Sequence, residues 1–167
     1  MRRIEDILAD KIADLINYIL SKVIIPDITI DKVTELDEKQ IKEIKRKYEI
    51  DGIILDVDET LRKNMNDIPK VNREWIEKLR GQLKVIILSN GKDKKVEDYF
   101  KEKGIDYIAF AHKPLKKNYL RACQLLNLPT YKVMVVGDSL FDDIHGGQKN
   151  DMVTALVKDV IDEEREI

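Results

Sequence analysis

Five aspartates fall within two short stretches of this chain, Asp56-Val57-Asp58-Glu59-Thr60 and Gly137-Asp138-Ser139-Leu140-Phe141-Asp142-Asp143. Between them stand Ser89-Asn90-Gly91 and His112-Lys113-Pro114. Carboxylates brought from separate stretches to one place repel one another unless a cation neutralises them. An oxygen-only ligand set with no His or Cys suits Mg²⁺, which binds through one or two carboxylates and keeps positions for waters and a phosphate. The chemistry such a set supports is displacement at phosphorus. One carboxylate attacks and forms an acyl phosphate, and a second carboxyl donates a proton to the leaving group and later activates water. The metal and a lysine offset charge on the phosphoryl oxygens.

These residues need elements that bring them together. Ile53 to Leu55, Val85 to Leu88, Tyr107 to Phe110, Val133 to Val136 and Val153 to Val157 are short apolar runs rich in β-branched residues, which predicts five strands buried on both faces. Helices are expected between them. The first is marked by Val71, Trp75, Ile76 and Leu79, and the second by Val96, Tyr99 and Phe100, closed by Gly104. The third is marked by Leu115, Tyr119, Cys123 and Leu126, with Pro114 in its first turn. Alternating strand and helix implies an α/β, doubly wound, Rossmann-like parallel five-stranded sheet with helices on both faces. Ligands bind beyond the carboxyl ends of such strands, where all four stretches fall.

The 167 residues suit one catalytic domain. Residues 51–158 form the expected core, residues 1–50 a helical extension packed on that core or on a partner, and residues 159–167 an acidic tail. Ile4, Ile7, Leu8, Ile12, Leu15, Ile16, Ile19, Leu20 and Val23 make one apolar stripe on a first helix ended by Pro26. Its polar face mixes acid and base evenly, so the stripe is compatible with docking on the domain, on a second subunit or peripherally on a membrane. A second helix is expected from Glu38 to Tyr48. With 30 Lys and Arg against 32 Asp and Glu, the net charge of −2 gives no reason for a nucleic-acid partner. The single cysteine, Cys123, excludes an internal disulfide and suits a reducing, cytoplasmic setting. No run approaches the ~20 apolar residues of a membrane span. Glu5, Asp6, Asp10 and Asp14 are unlike a signal peptide.

On the four stretches the chain resembles the haloacid dehalogenase superfamily of phosphatases over residues 50 to 158. The steps of 33, 24 and 25 residues from Asp56 to Ser89, Lys113 and Asp138 leave room for one helix between successive strands. The resemblance implies Asp56 as nucleophile and Mg²⁺ ligand and Asp58 as general acid and base, with a metal ligand also at the Asp58 position through its main-chain carbonyl. It implies Asp138 to complete the metal site, Thr60, Ser89 and Asn90 to hold phosphate or order the loop, and Lys113 to bridge the phosphoryl group and Asp56. Asp142 or Asp143 would stand in the outer shell, with Asp143 preferred because relatives of this spacing carry the acid five positions after the first Asp.

A closer resemblance, to the YqeG-like, phosphatidylglycerophosphate phosphatase group within subfamily IIIA, rests on three segments. They are Pro26-Asp27-Ile28-Thr29, Ala111-His112-Lys113-Pro114 and Asp143-Ile144-His145-Gly146-Gly147. The chain departs from that group at Glu59, Ser139, Asp142 and Gln148. What the resemblance implies is a phosphomonoesterase with phosphatidylglycerophosphate as the named candidate substrate. A phosphatase of soluble sugar or nucleotide phosphates and a non-catalytic partner-binding module are the alternatives. The short segments from Thr60 to Ser89 and from Ser89 to Lys113 leave no room for a cap domain, so a capless, open site is expected. His112 and His145 are expected outside the acid–base machinery, Gly146 and Gly147 at a helix end where positive φ is tolerated, and Trp75 and Cys123 in the core.

Overall fold

Strands buried on both faces can satisfy their backbone N–H and C=O groups only through neighbouring strands. The computed structural model describes residues 3–160 and meets this demand with a six-stranded, wholly parallel sheet. In chain order the strands are β1 (Ile28–Ile30), β2 (Gly52–Leu55), β3 (Lys84–Leu88), β4 (Asp106–Ile108), β5 (Val133–Gly137) and β6 (Val153–Val157). Across the sheet they run β1-β6-β5-β2-β3-β4, which puts β2 and β5 side by side at the centre. The helices are α1 (Ile4–Val23), α2 (Glu38–Tyr48), α3 (Lys70–Leu79), α4 (Lys94–Glu102), α5 (Lys116–Leu126) and a single turn α6 (Gly146–Gln148), preceded by a π-helical turn at Leu140–His145.

Six strands replace the expected five. The addition, β1, is three residues long and shows no period of its own. The Asp27 carboxylate accepts from the Thr154 amide at 2.9 Å, while the Asp27 N–H donates to the Thr154 hydroxyl at 3.2 Å. This brings Ile28, Thr29 and Ile30 into register with Ala155, Leu156 and Val157. The sheet therefore recruits residues from the stretch expected as a helical extension. The acidic tail expected from residue 159 lies outside the described residues beyond Val160.

Alternation along β2 divides the core. Ile53 and Leu55 pack with Ile41 and Ile44 of α2, with Trp75, Ile76 and Leu79 of α3, and with Val96 and Phe100 of α4. Ile54, pointing the other way, packs with Tyr119, Ala122, Cys123 and Leu126 of α5. Helix ends follow their capping residues. Asp37 accepts from the Gln40 amide to start α2, and Asp93 accepts from the Lys95 and Val96 amides to start α4. Gly104, at φ 70°, follows α4 where a left-handed residue is needed. Pro114 does not fill the first turn of α5. Leu115, with extended backbone, is the N-cap, and Pro114 lies ahead of it behind a cis peptide bond. Gly146 and Gly147 are also unlike the expectation, since neither has positive φ. Their use is room: a Cβ on Gly146 would meet the Tyr119 ring and hydroxyl, and one on Gly147 would press on Thr154 and Val135.

Helix α1 stands apart from both halves of the core. None of its residues is buried, and Ile7, Leu8, Ile12, Leu15, Ile16 and Ile19 are 44–58% exposed. It touches the Leu140–His145 turn. Among the described residues no helix is long and apolar enough to cross a membrane.

Phe100 is fully buried, edge-on to Tyr99 at 5.0 Å and stacked with Tyr107 at 6.4 Å between ring centroids. Phe100→Ala is expected to cost about 3–5 kcal/mol in urea unfolding. Ile12→Ala on α1 should stay within about 0.5 kcal/mol.

Candidate active site

The carboxyl ends of the two central strands supply the first charges. Asp56 follows β2, and its amide continues the ladder by donating to the Val136 carbonyl of β5 at 3.0 Å. Its side chain is therefore fixed at the sheet edge, with little exposure to solvent. Asp56 Oδ1 accepts from Lys113 Nζ at 2.8 Å and Oδ2 from the Thr60 hydroxyl at 2.8 Å. Thr60 is fully buried and lies 3.4 Å from Asp138 Oδ1, so it spans the ends of β2 and β5.

Lys113 reaches the same point from the segment after β4. Its amide donates to Asn90 Oδ1 at 2.7 Å, and its buried ammonium donates to Asp143 Oδ1 at 2.6 Å as well as to Asp56. Burial alone would lower the Lys113 pKa, but the Asp143 and Asp56 carboxylates outweigh it and hold the ammonium above the ordinary lysine range. Asp143 is 1% exposed, and its second oxygen accepts from the Ser139 amide at 3.1 Å. Gly137 makes this possible, since a Cβ there would overlap the Asp143 carboxyl group.

Asp56, Asp138 and Asp143 each offer an oxygen, and these oxygens lie within 4.8 Å of one another. When all three are ionised, the carboxylates set against the Lys113 ammonium leave two negative charges. Burial pushes the Asp143 carboxyl up from the usual range, and the Asp56 charge adds to it while Lys113 opposes. Asp138 is raised in the same way, by loss of hydration first and then by Asp56 and Asp143, although it stands on the open side of the cleft. An all-oxygen set with two uncompensated charges fits a divalent cation.

Not every expected side chain joins this cluster. The Asp58 carboxylate is turned to Arg62, whose Nε donates to Asp58 Oδ1 at 2.8 Å. Both ends of the Asn90 amide are taken within the protein, its oxygen by the Lys113 amide and its nitrogen by Asp142 Oδ2 at 3.3 Å. Ser89 is buried, its amide donating to the Ile108 carbonyl at 2.9 Å and its carbonyl accepting from the Ala111 amide at 2.9 Å. Of the two candidate outer carboxylates, Asp143 bonds Lys113, while Asp142 faces Asn90 and accepts at its carbonyl from the buried Tyr119 hydroxyl. His112 is exposed, and His145 stacks on Phe141 at 5.8 Å, away from the cluster. Sequence reasoning missed Arg62, Asp93, Tyr119 and the spatial need for Gly137. The one local signal was a basic residue four places after Asp58.

The haloacid dehalogenase-like hydrolase family matches this chain over residues 20–151. The chain is 32% identical over 141 residues to "Probable phosphatase YqeG" of Bacillus subtilis (strain 168), a match covering 83% of this chain and 79% of that protein. Two solved structures share the fold. One is an uncharacterized protein from Listeria monocytogenes serotype 4b, with TM-score 0.55 and 19% identity over 70% of this chain and 84% of that one. The other, from Corynebacterium glutamicum, has TM-score 0.53 and 16% identity over 70% and 88% of the two chains.

The raised carboxyls predict how the metal-free protein responds to pH. A group that binds its proton more tightly when folded adds stability at low pH and withdraws it as pH rises through the folded value. Chelator-treated protein should lose stability from about pH 4 toward neutrality, as followed by thermal melts. Near neutral pH, Mg²⁺ at about a hundred times its dissociation constant should restore about 3 kcal/mol. Asp138→Asn should flatten the pH dependence and weaken the response to Mg²⁺.

Proposed function

This chain belongs to the haloacid dehalogenase-like hydrolase family and is a phosphatase, and from that premise we propose that it is a Mg²⁺-dependent phosphomonoesterase working through an aspartyl-phosphate on Asp56. The observation that carries the reading is the cluster at the carboxyl ends of β2 and β5, where a carboxylate is held by Lys113 and Thr60 beside two further carboxylates.

The roles follow from chemistry and position. The Asp56 carboxylate attacks phosphorus, a new P–O bond forms, and the bond to the leaving oxygen breaks. Asp58 gives that oxygen its proton. The resulting Asp58 carboxylate then takes a proton from the water that attacks the acyl phosphate, which releases inorganic phosphate and regenerates Asp56. Lys113 stays protonated beside Asp56, where its charge meets the phosphoryl oxygens. Asp56 and Asp138 would hold Mg²⁺, together with the main chain at Asp58, and Asp143 would stand behind Lys113 in the outer shell. Held there, Mg²⁺ would supply positive charge to offset that of the phosphoryl oxygens. Thr60, Ser89 and Asn90 order the loops around the phosphate.

A phosphorylated lipid headgroup is the substrate class we favour, with phosphatidylglycerophosphate as the named candidate. Met65, Phe110, Leu115 and Phe141 are 47–69% exposed, and all lie in segments leaving the carboxyl ends of strands. Among the described residues each connection between β2 and β5 holds a single α-helix and no inserted domain, so the mouth is open to a large ester. The apolar stripe of α1 runs uncovered beside the Leu140–His145 turn. These features support docking of the catalytic edge at a lipid surface from the cytoplasmic side.

Phosphate release from mixed micelles should require Mg²⁺ and vanish with chelator. Asp56→Asn should abolish turnover, and Asp58→Asn should reduce it by about 10²–10⁴-fold. Near-parental turnover by Asp56→Asn would remove the nucleophile assignment. Full-length chain should float with phosphatidylglycerol-containing vesicles more than a chain starting at Pro26. Equal flotation, or faster release from soluble sugar or nucleotide phosphates than from micelles, would point to the soluble-ester reading.

A further inference from the structure

The proposed general acid does not stand free in the cleft. Arg62 is 3% exposed and links two carboxylates, with Nε donating to Asp58 Oδ1 at 2.8 Å and Nη1 to Asp93 Oδ2 at 2.7 Å. The other oxygen of Asp93 caps α4 through the amides of Lys95 and Val96. A chain of bonds therefore runs from the helix that follows β3, through Asp93 and Arg62, to the carboxylate two places after the nucleophile. The planar guanidinium holds two acceptors in fixed directions, which a lysine cannot do.

The consequence lies in which oxygen of Asp58 is left. Oδ1 accepts from Arg62, so a proton there would cost that bond. Oδ2 lies beside the loop after β3, 3.8 Å from where a Cβ on Gly91 would stand. A side chain at that position would touch Oδ2, and glycine leaves that oxygen uncovered on this side.

We infer that Arg62, braced by Asp93, is a positioning residue that fixes the Asp58 carboxyl so that its free oxygen is the one presented to the leaving group. The inference rests on the reading of Asp58 as general acid. It gives Arg62 no direct contact with substrate, so its loss acts through proton delivery alone. Esters whose leaving oxygen needs a proton should therefore suffer far more than those whose leaving group departs unaided.

The test compares kcat/KM for a primary alkyl phosphate and for p-nitrophenyl phosphate. This parameter covers the step in which the leaving group departs. Arg62→Met should lose about a hundredfold on the alkyl ester and no more than a few-fold on the aryl ester. Arg62→Lys should recover part of the alkyl activity. Asp93→Ser, which keeps a capping hydroxyl for α4 and removes the brace, should show the same bias to a lesser degree and serves if Arg62→Met does not fold. Asp58→Asn is the reference. If it discriminates between the esters while Arg62→Met and Asp93→Ser lose both equally or lose neither, the inference falls and the acid assignment stands. If Asp58→Asn itself shows no bias, the acid assignment falls and takes the inference with it.

Discussion

One ammonium set between carboxylates governs this structure. Lys113 lies 2.8 Å from Asp56 and 2.6 Å from Asp143, all three little exposed, with Asp138 near enough to add its charge. Taking one partner from a buried ion pair costs about 3–5 kcal/mol, several times the net value of about 1 kcal/mol for an ordinary hydrogen bond. The cluster is consequently fixed at each member by backbone groups: Asp56 by the ladder to Val136, Asp143 by the Ser139 amide, and Lys113 by its amide bond to Asn90. The charge that Lys113 does not cancel makes the cluster a fitting place for a cation.

Backbone strain gathers in the loops at the edge of the sheet that holds the like charges. Eight non-glycine residues have positive φ among the described residues, and five of them, Glu59, Asn64, Met65, Phe110 and His112, lie in segments leaving the carboxyl edge. A left-handed residue other than glycine costs about 1–2 kcal/mol. Such positions persist where the surroundings determine them, here by two layers of helices closing on a sheet whose central strands, β2 and β5, are buried throughout. The same loops expose the apolar side chains of Met65 and Phe110, so the strained edge is also an apolar one.

Much of this was legible in the residues. Short β-branched runs with helical periods between them give a parallel α/β sheet under any reasonable packing, and the acids stand where such runs stop. What escaped depended on contacts between distant segments. Strand β1 is too short to show a period and is held by Asp27 meeting Thr154, 127 positions away. Arg62 reads as an ordinary loop cation until Asp93, 31 positions on, is seen to face it. Gly137 reads as a strand end, and only the folded position of Asp143 shows why no larger residue fits. Asn90 sits in the expected loop, yet its amide is turned inward to Lys113 and Asp142, a detail that spacing does not encode.

The central pair β2 and β5 joins Gly52 with Val133 and Leu55 with Val136, segments separated by nearly half the chain. Closing so long a loop is paid in entropy before the pairing returns anything. During synthesis, Asp56 leaves the ribosome early and must wait for Asp138 and Asp143. A chain that stops before β5 has Asp56 but neither Asp138 nor Asp143, so two of the three clustered carboxylates exist only once the second central strand has been made.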